Sequence, residues 1–227
     1  RFTDIRGKLQ HVTVDVDLVD EDFLEEGFMF DGSSIAGWKS IENSDMKLIV
    51  DTDSAYIDPF YAEKTLCVHC SIVEPDTGEA YERDPRGTAQ KAEAYLKESG
   101  IGDVAYMGPE AEFFIFDDVR FENKINKVSY EVDAVDASWN TDTEYEMGNS
   151  GHRPGLKGGY FPVNPIDDAQ DLRSEMLSTM KSLGMKVDKH HHEVASCQHE
   201  LGLIFGTVTK QADEIQKYKY VIHNVAH

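Results

Sequence analysis

Two short stretches of this 227-residue chain carry side chains whose types and spacing could hold a metal ion. One is Gly108-Pro109-Glu110-Ala111-Glu112-Phe113-Phe114-Ile115-Phe116. The other is His190-His191-His192-Glu193-Val194-Ala195-Ser196-Cys197-Gln198-His199-Glu200. Both read as strand-like. Glu110 and Glu112 stand at i and i+2, which on a strand sends both carboxylates to one face. Phe114 and Phe116 share that face, so plain solvation explains it poorly. Burying an unpaired carboxylate beside aromatic rings costs several kcal/mol, and a hard divalent cation is the partner that oxygen ligands select. On the second stretch His191 and Glu193 share a face while His190 and His192 point the other way, so only part of the histidine run can converge on one ion. Glu193 and Glu200 are seven residues apart. A bend must lie between them if both serve one site. From these residues alone the chemistry is that of a carboxylate-rich divalent-metal site, suited to phosphoryl transfer, with metal-dependent hydrolysis as a further reading.

The elements that must position these groups are read from periodicity and punctuation. His11-Val12-Thr13-Val14-Asp15-Val16 alternates as a strand would, Met46-Lys47-Leu48-Ile49-Val50 is apolar, and residues 65–73 form a further strand-like run. Phe30-Asp31-Gly32-Ser33-Ser34-Ile35-Ala36-Gly37-Trp38 is rich in turn residues and reads as a loop. Arg83-Asp84-Pro85-Arg86-Gly87 reads as a break, which divides the chain into domains 1–84 and 85–227. A helix is predicted after it, with Thr88 as N-cap, Ala89, Ala92 and Leu96 on one face, and Gly100 as the stop. Residues 131–146 read as irregular, and the glycine-rich residues 148–159 as a mobile loop that fits no phosphate-binding glycine pattern. A second helix from Ala169 carries the apolar stripe Ala169, Leu172, Met176, Met180 and Leu183, started by Asp167 and Asp168 and ended by Gly184. A last helix presents Ala212, Ile215, Ile222 and Val225. Strands followed by mixed elements predict an α+β class.

Composition narrows the partners. With 43 acidic against 22 basic residues and a net charge of -21, the chain is a poor match for nucleic acid or an anionic membrane surface. No apolar run approaches the roughly 20 residues of a membrane span, and no signal peptide is visible. The three cysteines fit a reducing compartment, hence a cytoplasmic location. Cys67-Val68-His69-Cys70 could suggest zinc, but on a strand its two thiols face opposite ways, so buried strand cysteines are expected. The chain opens on Arg1 and closes on His227 inside a helical pattern, and is expected to be a piece of a longer protein.

Four segments go further together than singly. Phe30-Asp31-Gly32-Ser33-Ser34, Gly108-Pro109-Glu110-Ala111-Glu112-Phe113-Phe114, Lys157-Gly158-Gly159-Tyr160-Phe161-Pro162-Val163 and His191-His192-Glu193-Val194-Ala195 occur in that order. In this the chain resembles the first half of a bacterial type I glutamine synthetase subunit. The resemblance implies a β-grasp-like N-terminal domain followed by the first part of a catalytic domain, a curved antiparallel sheet with helices. It implies ligation of ammonium to glutamate with ATP, through a γ-glutamyl phosphate, at a site with two divalent ions, magnesium or manganese. By motif match Glu112, Glu193 and Glu200 would hold the ion next to glutamate, and Glu110 the ion next to the nucleotide. Asp31, Ser34, Tyr160 and Glu193 would form the ammonium site, and Phe205 would pack on adenine. The implied assembly is a dodecamer of two hexameric rings, with active sites shared between neighbouring subunits. Some members have one more residue between the carboxylates matched by Glu193 and Glu200, and others share this spacing. Asp188 stands where some relatives place a nucleotide-side Glu, and no role is carried over to it. Residues 1–227 alone are expected to be inactive. Within the superfamily the alternative is a γ-glutamyl-amine ligase, against which Asp31, Ser34 and Tyr160 argue, because a bulky amine needs that acidic corner opened. A non-catalytic relative that keeps the fold is the alternative of a different class, and its retained carboxylates argue against it.

Overall fold

Local capping signals place the helices, and a computed structural model of the chain describes residues 1–139, 144 and 153–227. In chain order the elements are β1 (Phe2–Thr3), β2 (Leu9–Gln10), α1 (Glu21–Glu26), β3 (Phe28–Asp31), β4 (Asp45–Ile57), β5 (Leu66–Val73) and α2 (Pro85–Ser99). Then follow β6 (Tyr106–Met107), β7 (Glu112–Phe114), β8 (Asp118–Lys124), β9 (Lys127–Asp133) and α3 (Gln170–Ser182). The last elements are β10 (Val187–His192), β11 (Gln198–Leu203), β12 (Gly206–Thr207) and α4 (Val208–Ala226). Every strand pairing among the described residues is antiparallel, and the class is α+β. Among the described residues no helix is long and apolar enough to cross a membrane.

The chain divides into two compact units, Arg1–Gly108 with Phe205–Tyr220, and Pro109–Ile204 with Val221–His227. In the first unit β3, β4 and β5 form a sheet in that order. Its core gathers Phe2, Trp38, Met46, Leu48, Cys70, Ile72 and Tyr81. Phe2 and Tyr81 both lie against the Trp38 ring, with centroids 5.5 and 5.4 Å away. The apolar runs predicted at Met46–Val50 and 65–73 lie in β4 and β5. Cys67 and Cys70 are buried, unpaired strand cysteines, and Cys70 packs in the core.

His11–Val16 is no strand, because no neighbouring strand pairs with it. Asp15 instead caps a short 3-10 turn at Val16–Leu18. Helix α1 was not foreseen, although Asp20 accepts from the Phe23 amide at 2.8 Å and marks its start. Helix α2 begins four residues earlier than predicted, with Asp84 as N-cap and Pro85 in the first turn. Proline has no N–H to lose there and its φ suits the helix. Thr88 is inside the helix and donates its hydroxyl back to the Asp84 carbonyl at 3.1 Å. Ala92 is exposed. Ala89 and Leu96 are half-buried as predicted, and the inner face adds the buried Arg86 and the half-buried Glu93. Arg86 reaches Asp213 on α4, Asp51 on β4 and Ser71 on β5. Gly100 ends α2 in the left-handed region at φ 70°.

The second unit carries the three-stranded sheet β10-β11-β7 and the separate hairpin β8-β9. Residues 131–133 belong to β9 rather than to an irregular stretch, paired with β8 from Asp118↔Asp133 to Lys124↔Lys127. Of the predicted loops, 140–143, 145–146 and 148–152 lie outside the described residues. The Glu110 stretch is shorter than expected: β7 starts at Glu112. Helix α3 buries Met176, Met180 and Leu183 as predicted, and also Arg173, which was not foreseen. Gly184 follows at φ 76°. Asp167 does not cap this helix, because its carboxylate is taken by Arg173. On α4 the part in the first unit buries Gln211, Glu214, Lys217 and Tyr218 with Ala212 and Ile215 half-buried, and the part in the second unit buries Val221 and Ile222 with Val225 half-buried. Lys217 and Glu214 offset the cost of each other's burial by pairing at 2.6 Å.

Candidate metal and substrate site

The histidine run and the second acidic segment form a hairpin, not one strand. β10 and β11 pair His191 with Glu200 and His192 with His199. β7 then pairs Glu112 with Glu200 and Phe113 with His199. Directly opposed residues of antiparallel strands share a face. His191, Glu200 and Glu112 therefore form one row across the sheet, and His192, His199 and Phe113 form the row on its other side.

Glu193 closes the first row at the hairpin turn. Its amide donates to the Gln198 carbonyl at 2.7 Å, and its carboxylate accepts from the Val194 amide at 2.9 Å. His191 Nδ1 lies 3.4 Å from a Glu193 oxygen, and its Nε2 lies 3.4 Å from a Glu200 oxygen. One donor atom from each of His191, Glu193 and Glu200 lies within 4.8 Å of the other two. Opposite ligands of a magnesium-sized ion stand roughly 4.2 Å apart, at about 2.1 Å per bond. Neighbouring ligands stand roughly 3 Å apart, so the three donors converge on one point and must draw in to close on an ion. Glu193 and Glu200 are 9% and 8% exposed, so their charges are costly without a counter-ion. Burial raises the pKa of Glu200, and the neighbouring Glu193 and Glu110 charges raise it further against the opposing pull of His191. A cluster of carboxylates that repel one another is what a hard divalent cation stabilises, so these residues fit such an ion.

Glu112 stands on the same face, exposed, and accepts from Gln198 Nε2. Glu110 lies outside the strand, exposed, and acts on Glu200 through its charge. The two carboxylates thus have different settings. His191 was left open by the sequence, although its shared face with Glu193 was the available signal.

Tyr160 stands beside this row. Its ring stacks on Phe161 at 3.9 Å, and both rings meet His191 edge-on at 5.6 and 4.8 Å. The segment is held by the Gly159 amide donating to the Val194 carbonyl at 3.0 Å. Gly159 has no room for a side chain, since a Cβ there would lie 2.6 Å from the Glu193 carbonyl oxygen and 2.7 Å from the His192 ring. Gly159→Ala is therefore expected to push the Tyr160 segment off the hairpin. Overpacking of this kind costs about 1–3 kcal/mol. Thermal melts and Mn2+ titration of the variant should show a lower midpoint together with weakened ion binding. An alanine variant matching the parent in both would contradict this packing.

The underside of the hairpin is a buried polar layer. His192 Nε2 meets Asp136 at 3.0 Å. Arg173, with no exposed surface, forks onto Asp167. Burial alone would raise the Asp136 and Asp167 carboxyls. The His192 and Arg173 contacts outweigh it and hold both below the usual carboxylate range. Burial, with Arg173 and His192 alongside, pushes His199 down to about 3, so it is a neutral ring. This layer was missed by sequence reasoning, since nothing in the order of the residues marks Arg173 as buried. Cys197 sits in the turn at φ 65°, fully buried among Ala134, Ala137 and Phe116. Burial and the nearby Asp136 push its thiol up to about 12, so it packs as an apolar group.

The remaining predicted residues lie in the other unit. Asp31 is exposed, ends β3 and caps the Gly32–Ser34 turn. It accepts from the Ser33 amide at 2.8 Å, the Ser33 hydroxyl at 2.6 Å and the Ser34 hydroxyl at 3.0 Å. These bonds, the Ser33 hydroxyl foremost, hold its carboxyl below the usual range. Phe205 is 63% exposed, edge-on to Tyr106 at 5.4 Å.

Comparison with known families bears on these elements. Residues 1–75 match the family description "Glutamine synthetase, beta-Grasp domain", and residues 82–227 match "Glutamine synthetase, catalytic domain". The chain belongs to the glutamine synthetase family. It is similar to a glutamine synthetase of Cereibacter sphaeroides, with 80% identity over 226 residues, covering 100% of this chain and 48% of that protein. One from Rhodobacter capsulatus is 78% identical over 227 residues, covering 100% of this chain and 52% of that protein. The solved glutamine synthetase of Plasmodium falciparum matches 99% of this chain and 44% of its own, with TM-score 0.85 and 26% identity. The chain spans about half the length of the curated relatives it matches.

Proposed function

We propose that the full-length protein joins ammonium to L-glutamate using ATP, through a γ-glutamyl phosphate, to give L-glutamine, ADP and phosphate. The observation that carries this reading is the carboxylate row of Glu112 and Glu200, closed by Glu193 and His191, in a chain of the glutamine synthetase family. Glu112, Glu193 and Glu200 would hold one magnesium or manganese ion and Glu110 a second. When bound, such ions supply neutralisation of the charge that moves with the phosphoryl group. Asp31 suits ammonium binding because its hydroxyl and amide partners keep it anionic. With Ser34 of its own loop, and with Tyr160 and Glu193 of a neighbouring subunit, it would form the ammonium site. One of these carboxylates would take a proton from ammonium, leaving ammonia as nucleophile. Phe205 would offer its exposed ring to adenine. The assembly is a cytoplasmic dodecamer of two hexameric rings with sites shared between neighbours, and the domain boundary lies at 84/85.

The test is glutamine formation by the full-length enzyme with ATP, glutamate and ammonium, with and without divalent ions. Product made only with methylamine in place of ammonium would overturn this reading in favour of an amine ligase. The different settings of the first two carboxylates give a sharper expectation. Glu110→Gln should mainly weaken metal–nucleotide binding, while Glu112→Gln should lower turnover and glutamate-side ion binding. Mn2+ titrations with and without nucleotide separate the two. Equal, nucleotide-independent losses would argue against two distinct ions.

A further inference from the structure

We infer that Arg173 is a positioning residue that holds the two strands of the site hairpin at the spacing an ion needs. This rests on the proposed metal role of Glu193 and Glu200. Every N–H of its guanidinium has an acceptor. Nε donates to His190 Nδ1 at 3.3 Å. Nη1 donates to Asp167 Oδ1 at 2.8 Å and to His199 Nδ1 at 3.1 Å. Nη2 donates to Asp167 Oδ2 at 2.5 Å and to Gln170 Oε1 at 3.4 Å. Arg173 thereby ties helix α3 to β10 through His190 and to β11 through His199. The residues next along those strands, His191 and Glu200, face the opposite side and are paired in register. Alternation along a strand couples the two faces, so a shift of His190 or His199 below changes the pitch of His191 or Glu200 above. Asp167 neutralises the buried cation and Ser174 fixes the far nitrogen of His190 at 3.1 Å. The arrangement needs a planar fork, since a lysine ammonium has fewer donors and cannot serve acceptors on three elements in one plane.

The experiment uses the full-length protein and Mn2+ alone as the probe, with free Mn2+ followed by electron paramagnetic resonance. Arg173→Lys should stay folded and bind Mn2+ about tenfold or more weakly, the range found for supporting groups behind metal ligands. His199 gives an independent arm that leaves the buried cation and its Asp167 partner in place. His199→Asn keeps an acceptor for Nη1 and should bind Mn2+ within about threefold of the parent. His199→Leu removes it and should bind about tenfold more weakly. A merely structural role would lower the metal-free thermal midpoint without changing the Mn2+ affinity of the folded fraction. That result would overturn the inference, as would His199→Asn and His199→Leu behaving alike. If the Mn2+ pattern holds but the parent makes no glutamine, the positioning role stands and the proposed reaction falls. If the parent makes glutamine and Mn2+ binding ignores both residues, only the positioning role falls.

Discussion

Glu200→Gln in the full-length protein is expected to lose roughly 10²–10³-fold in glutamine formation, the scale set by removing one preorganised electrostatic group from a reacting site. Glutamine keeps the shape of the side chain and removes its charge. The metal-free protein should not suffer. Burial and the charges of Glu193 and Glu110 raise the pKa of Glu200 in the fold. Its ionised form is therefore less favourable folded than unfolded, and a neutral side chain removes that penalty at neutral pH. The thermal midpoint without metal should stay level or rise. The midpoint gain on adding Mn2+ should shrink, because an ion at a hundredfold excess over its Kd stabilises the fold by about 2.7 kcal/mol and the variant gives up much of that binding. Opposite signs in the two melts mark a group kept for its ligand. A fall in metal-free stability with an unchanged Mn2+ response would show that Glu200 serves the fold alone.

The second large effect concerns Asp31. Full-length Asp31→Ala and Glu193→Ala subunits should each be nearly inactive, and activity should reappear when the two assemble together. Asp31 sits on a turn at the end of β3, and Glu193 on the β10–β11 hairpin of the other unit. If rings close head to tail, each shared site takes Asp31 from one subunit and Glu193 from the next. Random equal mixing leaves roughly a quarter of the interfaces with both residues intact. Differently tagged mutants allow mixed rings to be isolated and assayed. Mixed rings as inactive as their parents would place Asp31 in its own subunit's site or reduce it to a turn cap, a role its bonds to Ser33 and Ser34 already support.

Side-chain chemistry and period were legible along the chain. The alternation of His191 and Glu193 against His190 and His192 follows from strand geometry whatever the strand pairs with. Met176, Met180 and Leu183 mark the buried face of α3 by spacing alone, and Gly100 and Gly184 mark helix ends because the left-handed conformation favours glycine. The odd parity of Cys67 and Cys70 kept their thiols on opposite faces. These are properties of the backbone period, and no distant contact is needed to state them.

What the tertiary structure decided is partnership. His11–Val16 alternates well and forms no strand, because alternation cannot supply the neighbour whose N–H and C=O groups a strand requires. The β8–β9 hairpin forms where residues 131–133 read as irregular, because its register is set by pairing across the turn. Thr88 lost the cap of α2 to Asp84, whose carboxylate also takes the distant Ile72 amide at 3.1 Å. Glu200 meets His191 and Glu112 only because β11 lies between β10 and β7 in one register. Arg173 is buried because Asp167, His190 and His199 converge on it from three elements, and a fully buried cation is stable only where such acceptors meet. Spacing along a chain fixes which face a side chain takes, whereas which faces meet depends on contacts between residues far apart in sequence.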